Sequence, residues 1–240
     1  MTAAAVLPQP TPARPAPPAP GRAAADQLVL HRLVRRELRV LTRLSTWAAP
    51  DDPARTAALT AHADLLGRVL LQHHAVEREL LWPALLRALP AADAERGRAA
   101  VAEWTASCAR LDHLLRDIST AARQWAVAGT PPARDAFAMA CLVLADAVAA
   151  QTADEERELV PLLAALPARE WTAITAAARC SLSAREQLFV LGLALEDACP
   201  DERARLLAAL SPATRLAWRL SGRRRHRAAV VRLRGEPPAA

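Results

Sequence analysis

The sequence predicts an all-α protein, an up-down-up-down four-helix bundle with a short C-terminal helical extension. Long stretches of the chain repeat apolar residues every three or four positions, which is the spacing of a helix face packed on a core. Four such stretches follow one another, at about residues 26–48, 52–89, 93–128 and 131–166. Because the connections between them are short, neighbouring helices must run antiparallel, as they do in a bundle of this topology.

Capping residues mark the starts of these helices. Asp26 is the candidate N-cap of the first helix. Asp52 before Pro53 and Thr130 before Pro131 each pair a capping side chain with a proline at the first helical position. Local signals therefore support the helix boundaries that the periodicity indicates.

Shorter helices are predicted after the bundle. Ser183 and Glu186 have the spacing of a capping box, in which each side chain bonds to the backbone of the other residue. Ser211 before Pro212 starts a last helix that leads into the arginine-rich end of the chain. These signals define the helical extension.

The chain divides into four predicted segments. Residues 1–24 hold seven of the 19 prolines, mostly among alanines, and are expected to form an extended, disordered leader. The bundle follows over residues 25–167, then the helical extension over 168–222 and an arginine-rich tail over 223–240. At 240 residues the chain is long enough to bury a substantial core.

The basic charge is concentrated at the C-terminal end. All 31 basic residues behind the net charge of +6 are arginines, and eight of them lie from Arg215 onward against one Glu. The run Arg223–Arg227 is of a kind that contacts nucleic acid, an acidic protein or a membrane surface. It lacks interleaved aromatic residues and a groove-reading motif, so a solvated arginine-rich end is the simpler interpretation.

Composition favours a soluble cytoplasmic protein. The cysteines lie far apart, without the paired spacing of a zinc knuckle or a disulfide scaffold, at Cys108, Cys141, Cys180 and Cys199. The N-terminal apolar stretch is too short for a signal peptide. Later apolar runs such as Leu188 to Leu195 are far below the ~20 residues needed to cross a bilayer, so no membrane span is predicted.

One sequence motif occurs twice, 78 residues apart. The first copy, residues 73–83, reads HHAVERELLWP, and the second, residues 151–161, reads QTADEERELVP. In each copy a carboxylate lies four residues after the lead residue, which puts the two on one face of a helix. His73 and Glu77 can therefore bind one hard metal ion together, whereas the second copy offers the amide of Gln151 beside Glu155.

Helical phase selects the polar residues of the other two helices that face the core. On the first helix His31 shares a stripe with three apolar residues, Val34, Leu38 and Leu41. On the third helix Cys108, and not His113, has this spacing to its apolar neighbours, and Asp112 lies at the edge of that stripe. The number of residues between a position and the nearest short connection gives its height along the bundle. By this measure one layer contains His31, His73, Cys108 and Gln151.

Two more histidines are not assigned to this layer. His62 lies eleven residues before His73, which is ~16 Å along the helix axis. We expect it to be a partly exposed helix histidine. His74 lies one step off the stripe that faces the core, and we expect it to have a structural role.

The arrangement resembles the hemerythrin-like, or HHE cation-binding, family. That family is a four-helix bundle with a histidine on the first helix, His-x3-Glu on the second, a histidine on the third and His-x3-Glu or Asp on the fourth. The resemblance covers about residues 26–166 and implies a non-haem di-iron centre that serves oxygen binding, oxygen or redox sensing, or iron handling. The matching positions are His31, His73, Glu77 and Glu155, with the two glutamates in the place of bridging carboxylates.

Two positions depart from the family pattern. Cys108 and Gln151 stand where the third and fourth helices of the family each supply a histidine. The amide replaces a strong nitrogen donor by a weak carbonyl oxygen, so metal affinity should fall. A Cys108 thiolate would favour zinc or a single softer ion over a symmetric di-iron pair, and Asp112 could add an oxygen ligand.

Two hypotheses about function follow. In the first, an altered centre binds a metal ion, iron or zinc, singly or in a pair, with oxygen as a ligand. In the second, the bundle is a metal-free scaffold or interaction module with a basic tail. Arg35 supports the second hypothesis, because it lies four residues after His31 and could pair with Glu77 or Glu155. No enzyme is predicted, since no nucleophile lies beside a base.

Overall fold

The computed structural model describes residues 21–178 and 181–235 of the chain, and these residues form helices joined by short connections. The helices of the bundle region are α1 (Arg22–Thr46), α2 (Pro53–Val76), α3 (Trp82–Ala88), α4 (Ala91–Ala128) and α5 (Pro131–Glu158). The extension contains α6 (Ala168–Ala177), α7 (Ala184–Glu196), α8 (Pro200–Ala208), α9 (Pro212–Ala217) and α10 (Arg223–Arg234). The predicted all-α class is confirmed.

The long helices pack as the predicted bundle. Helix α1 packs against α2 and α5, and α4 packs against the same two helices from the opposite side. The core consists of two apolar clusters along the bundle. One contains Leu38, Leu66 and Phe137, and the other contains Leu85 and Trp171 near the end where α6 docks.

Three of the predicted capping side chains form the expected bonds, at Asp52, Ser183 and Ser211, whereas Thr130 precedes its helix without a side-chain cap bond and Asp26 is not a cap. The Asp52 side chain accepts hydrogen bonds from two backbone amides, at 3.0 Å each, and the capping box of Ser183 and Glu186 is present. Helix α1 instead begins at Arg22, so Asp26 is not its N-cap. The Asp26 carboxylate accepts a hydrogen bond from Trp171 of α6 and pairs with Arg205, which connects the extension to the bundle.

Prolines interrupt two helices that were predicted to be continuous. After α2 the chain forms a π-helical segment, Glu77–Leu81, before α3, and after α5 it forms a 3-10 segment, Val160–Ala165. Pro83 and Pro161 cause these breaks, because proline has no N–H for the i−4 carbonyl and its ring clashes with that carbonyl. The π segment starts at Glu77, the carboxylate of the first motif copy.

The described part of the arginine-rich end is helical, and the arginines of the run Arg223–Arg227 are exposed on that helix. Helix α10 begins at Arg223 and packs against α7 and α2, with His226, Val230 and Leu233 buried. The segment predicted as a tail from residue 223 is therefore helical as far as Arg234. Residues 1–20 of the predicted leader, Cys180 and residues 236–240 lie outside the described residues, while residues 22–24 of that leader belong to α1.

Helix α5 is long and apolar enough to cross a membrane by length and composition, with a mean hydropathy of 1.7 over its most apolar window. In the bundle 44 % of that window is buried, against α1 and α4. The central helix of a soluble bundle has the same composition, and the buried side of α5 ends in the polar residues Gln151, Thr152 and Glu155.

Candidate metal centre

Four side chains converge between the helices at the π segment. His31 comes from α1, His73 from the end of α2, Glu77 from the first residue of the π segment and Glu155 from α5. Each offers one ligand atom, and these four atoms lie within 4.8 Å of one another. All four residues are buried, with at most 7 % of their surface exposed. The structure therefore brings together the residues selected by spacing and phase.

The cluster is built from two facing histidine and glutamate pairs. His31 Nε2 lies 3.2 Å from Glu155 Oε1, and His73 Nε2 lies 3.3 Å from Glu77 Oε1. The two imidazole rings meet edge to face, with centroids 5.5 Å apart. Two nitrogen donors and two carboxylates thus surround one small volume.

Each member of the cluster carries a buried polar atom with no hydrogen-bond partner among the described residues. These atoms are His31 Nε2, His73 Nε2, Glu77 Oε2 and Glu155 Oε1. A buried polar atom without a partner costs about 1–3 kcal/mol, so four together are unusual in a native core. A single cation would satisfy all of them, and imidazole with carboxylate is a donor set that binds iron and zinc.

Burial shifts the pKa of each group in the metal-free cluster. Burial and the neighbouring Glu155 raise the pKa of Glu77 well above its usual range, which favours the protonated form of this carboxyl. Burial also opposes ionisation of Glu155, but the close approach of His31 prevails and lowers the pKa of Glu155. Burial lowers the pKa of His73 to about 3, which leaves this ring in the neutral form that binds metals.

Glu156 orients His31, and the sequence analysis missed it. Its Oε1 accepts a hydrogen bond from His31 Nδ1 at 3.1 Å, so Nδ1 carries the proton and Nε2 points into the cluster. Burial opposes the charge on His31, but Glu155 and Glu156 outweigh it and raise the pKa of His31 to about 9. A second carboxylate directly after Glu155 was the available signal.

Arg35 does not neutralise the cluster as proposed above. Its guanidinium lies 2.8 Å from Glu156 Oε1 and donates a hydrogen bond to the Thr152 hydroxyl at 3.3 Å. The arginine therefore supports the residue that orients His31 and leaves Glu77 and Glu155 without an arginine partner among the described residues. The argument for a metal-free ion pair loses its basis.

Gln27 is a further residue that sequence reasoning missed. It is 5 % exposed, and its Nε2 donates a hydrogen bond to Glu77 Oε1 at 2.6 Å. It lies four residues before His31 on α1, so the two share a helix face, and this spacing was its signal. The bond holds the Glu77 oxygen that also lies 3.3 Å from His73 Nε2.

The weaker candidate ligands form a separate pair beside the cluster. Cys108 and Gln151 are both buried, as the phase of their helices predicted, and Gln151 Nε2 donates to Cys108 Sγ at 3.1 Å. Burial raises the pKa of the Cys108 thiol to about 12, so it does not offer a thiolate. Neither Cys108 nor the half-buried Asp112 belongs to the group of four convergent ligands.

The remaining histidines of the bundle have other environments. His113 is exposed beside Asp117, as predicted. His74 is buried between His73 and the ring of Trp104, whose centroid lies 6.0 Å away. The prediction that His62 is partly exposed is wrong, because the extension covers it: it is 5 % exposed and packs against Phe189 of α7.

A cleft between α4 and α5 connects the cluster with the surface. Its volume is about 340 Å³, and its lining includes Trp104, Gln151 and Glu155. Most of the other lining side chains are charged or polar: Arg96, Glu103, Ser107, Asp154, Arg157 and Glu158. One carboxylate of the cluster is therefore reached from a polar opening.

Comparison with known proteins agrees with this geometry. A family model described as the Hemerythrin HHE cation binding domain matches residues 27–163, which include all four convergent residues. No curated protein and no solved structure matches the chain.

Proposed function

We propose that this chain, which belongs to the Hemerythrin HHE cation-binding domain family, binds one iron ion at His31, His73, Glu77 and Glu155. The observation that supports this proposal is the set of four buried ligand atoms that lack hydrogen-bond partners. Iron at this position would supply oxygen binding or one-electron redox chemistry, and the protein would serve oxygen or redox sensing or iron handling.

The donor set supports one ion. Two imidazoles with carboxylates and an open position are typical of non-haem iron, and zinc is the second candidate because it accepts the same ligands. A second iron would need further nitrogen donors from α4 and α5. At those positions Cys108 and Gln151 are bonded to each other.

The chain itself prepares the cluster for a cation. Glu156 holds the proton of His31 Nδ1 and thereby directs Nε2 inward, and Gln27 holds one oxygen of Glu77. The buried Leu81 and Trp82 lie four and five residues after Glu77 and belong to the apolar cluster at this end of the bundle. The cleft lined by Glu155 leaves one side open to small molecules.

Metal analysis of the full chain, purified without a polyhistidine tag, tests the proposal. We expect one iron per chain with an absorption band that changes on reduction. Glu155→Gln should lower metal affinity more than the roughly 10–100-fold that loss of an orienting residue costs. Asp146→Asn, at an exposed position of the same helix outside the cleft, is the control and should bind as the wild type does.

Absence of bound metal, with added iron or zinc failing to bind, would contradict the proposal and favour the metal-free scaffold. Binding of zinc but not iron would retain the site and reject the redox role. The double substitution Cys108→His and Gln151→His restores the family pattern and should raise the metal content above one ion per chain. An unchanged content would contradict the explanation for a single ion.

A further inference from the structure

A second cavity lies in the C-terminal extension, between α7 and α10. Its volume is about 210 Å³, and none of its lining residues belongs to the metal centre. The walls are largely apolar, formed by Leu188, Phe189, Gly222 and Ala229. A cavity of this size is smaller than the roughly 300–1,000 Å³ pockets that bind drug-sized ligands, so only a small molecule fits.

The local backbone creates the space on the α10 side. Before α10 the chain forms a π-helical segment, Trp218–Gly222, which ends at the cavity wall. A Cβ atom at Gly222 would lie 2.6 Å from the Trp218 ring, so only glycine allows that ring to pack there. Such π-helical turns occur frequently at functional sites.

Two arginines at the opening of the cavity carry uncompensated charge. Arg185 and Arg225 line it and are exposed, and neither forms an ion pair with another described residue. The one carboxylate of the lining, Glu186, is already bound by Arg68 at 2.5 Å and by Ser183 of its capping box. The opening is therefore positive and the interior apolar.

We propose that this cavity binds a small apolar molecule carrying one carboxylate, such as a short fatty acid. The alkyl body would lie against Leu188, Phe189 and Ala229, and the carboxylate would accept hydrogen bonds from the guanidinium groups at the opening. Arginine suits this role because its planar group binds a carboxylate through two parallel bonds. The run Arg223–Arg227, which the metal centre leaves unexplained, thereby acquires a binding role through Arg225.

Occupancy would also act on the attachment of the extension. His226 lines the cavity and lies 3.2 Å from Glu196 of α7. Glu196 is bound in turn by Arg234, which also reaches Glu37 of α1. A ligand between α7 and α10 would therefore stabilise the packing of α10 on the bundle, because ligands stabilise the state that binds them.

Calorimetric titration of the full chain with octanoate and with octanol tests the proposal. We expect octanoate to bind at least about tenfold more tightly, because octanol lacks the charge-assisted bonds to the arginines. The double variant Arg185→Gln and Arg225→Gln should remove this preference and leave octanol binding unchanged. Arg224→Gln, an exposed arginine of α10 outside the cavity, is the control and should retain it.

Ala229→Trp fills the cavity and should abolish binding of both probes, with circular dichroism confirming that the variant is folded. Equal affinity for octanoate and octanol, no octanoate binding, or unchanged binding by the double arginine variant would each overturn the proposal. If Ala229→Trp does not fold, the preference of the double arginine variant for octanoate or octanol tests the proposal by itself. Metal content does not enter these outcomes, so they are independent of the proposed iron site.

Discussion

Helix α1 passes through two buried clusters that contain the same residue types, histidine and glutamate. The first is the metal centre around His31. The second, which we call the ionic cluster, consists of Glu37, His62, Glu196, His226 and Arg234. The two differ in one component, because only the ionic cluster contains arginine.

In the ionic cluster both glutamates have an arginine partner. Glu37 Oε1 accepts hydrogen bonds from Arg36 at 2.8 Å and from Arg234 at 2.6 Å, while Glu37 Oε2 accepts one from His62 at 3.1 Å. Glu196 accepts a bond from Arg234 at 2.7 Å. A buried carboxylate with such partners is stable without an ion.

In the metal centre the nearest arginine is directed elsewhere. Arg35 binds Glu156, so neither Glu77 nor Glu155 has an arginine partner among the described residues, and burial beside Glu155 raises the pKa of Glu77. Buried histidines and glutamates therefore do not indicate a metal site by themselves. The position of the arginines distinguishes a cluster that is already neutralised from one that can accept a cation.

The largest expected effect is the loss of arginine from the ionic cluster. Arg234→Met removes a positive charge that pairs with the buried carboxylates of Glu37 and Glu196. It should lower the free energy of unfolding by about 3–5 kcal/mol. Urea denaturation of the metal-free protein measures this. Arg232→Met, at an exposed position of the same helix, should change it by less than about 0.5 kcal/mol. A small effect of Arg234→Met would mean that the arginine does not distinguish the two clusters.

Acid should weaken the ionic cluster. Burial opposes ionisation of Glu37, but His62 and the two arginines prevail and lower its pKa from 4.5 to about 2. Because the folded-state pKa is lowered, the stabilisation is complete above the unfolded value and is lost as pH falls from about 4.5 toward 2. Its size is about 3 kcal/mol. Denaturation curves of wild type and Glu37→Gln should converge over this interval, and parallel pH profiles would contradict this assignment.

The orienting role of Glu156 can be tested at the metal centre. Glu156→Gln weakens the acceptor for His31 Nδ1 and should reduce metal affinity by roughly 10–100-fold. Competition with a chelator measures the affinity. Asp154→Asn, on the exposed side of α5, should leave it unchanged. Equal effects of the two substitutions would indicate a general charge effect and not the orientation of His31.

The smallest expected effect on stability is that of Glu77→Gln in the metal centre, in contrast to the large effect of Arg234→Met in the ionic cluster. Glu77→Gln replaces a protonated carboxyl by an amide of nearly the same shape, so the stability of the metal-free protein should stay within about 1 kcal/mol of wild type or rise. Metal binding should be lost. Thermal denaturation with and without metal separates the two effects. A large destabilisation of the metal-free variant would show that Glu77 is ionised and already compensated.

Several features of the site were predictable from local sequence. The His73 and Glu77 spacing, its repeat at Gln151 and Glu155, and the phase of His31 depend only on the geometry of one helix, and the structure places them as expected. The breaks at Pro83 and Pro161 have a local cause as well. They were missed because the apolar periodicity continues across both prolines.

The bundle and the four convergent ligands could be predicted from helix periodicity and short connections, because these act over a few residues. Which buried carboxylates receive an arginine depends on how the helices pack. The partner of Arg35 lies on α5, and Glu37 is bound by Arg234, 197 positions away in sequence. The burial of His62 and the order of the arginine-rich end also depend on the extension docking on the bundle. Such pairings follow from packing between distant segments, which no helical spacing encodes.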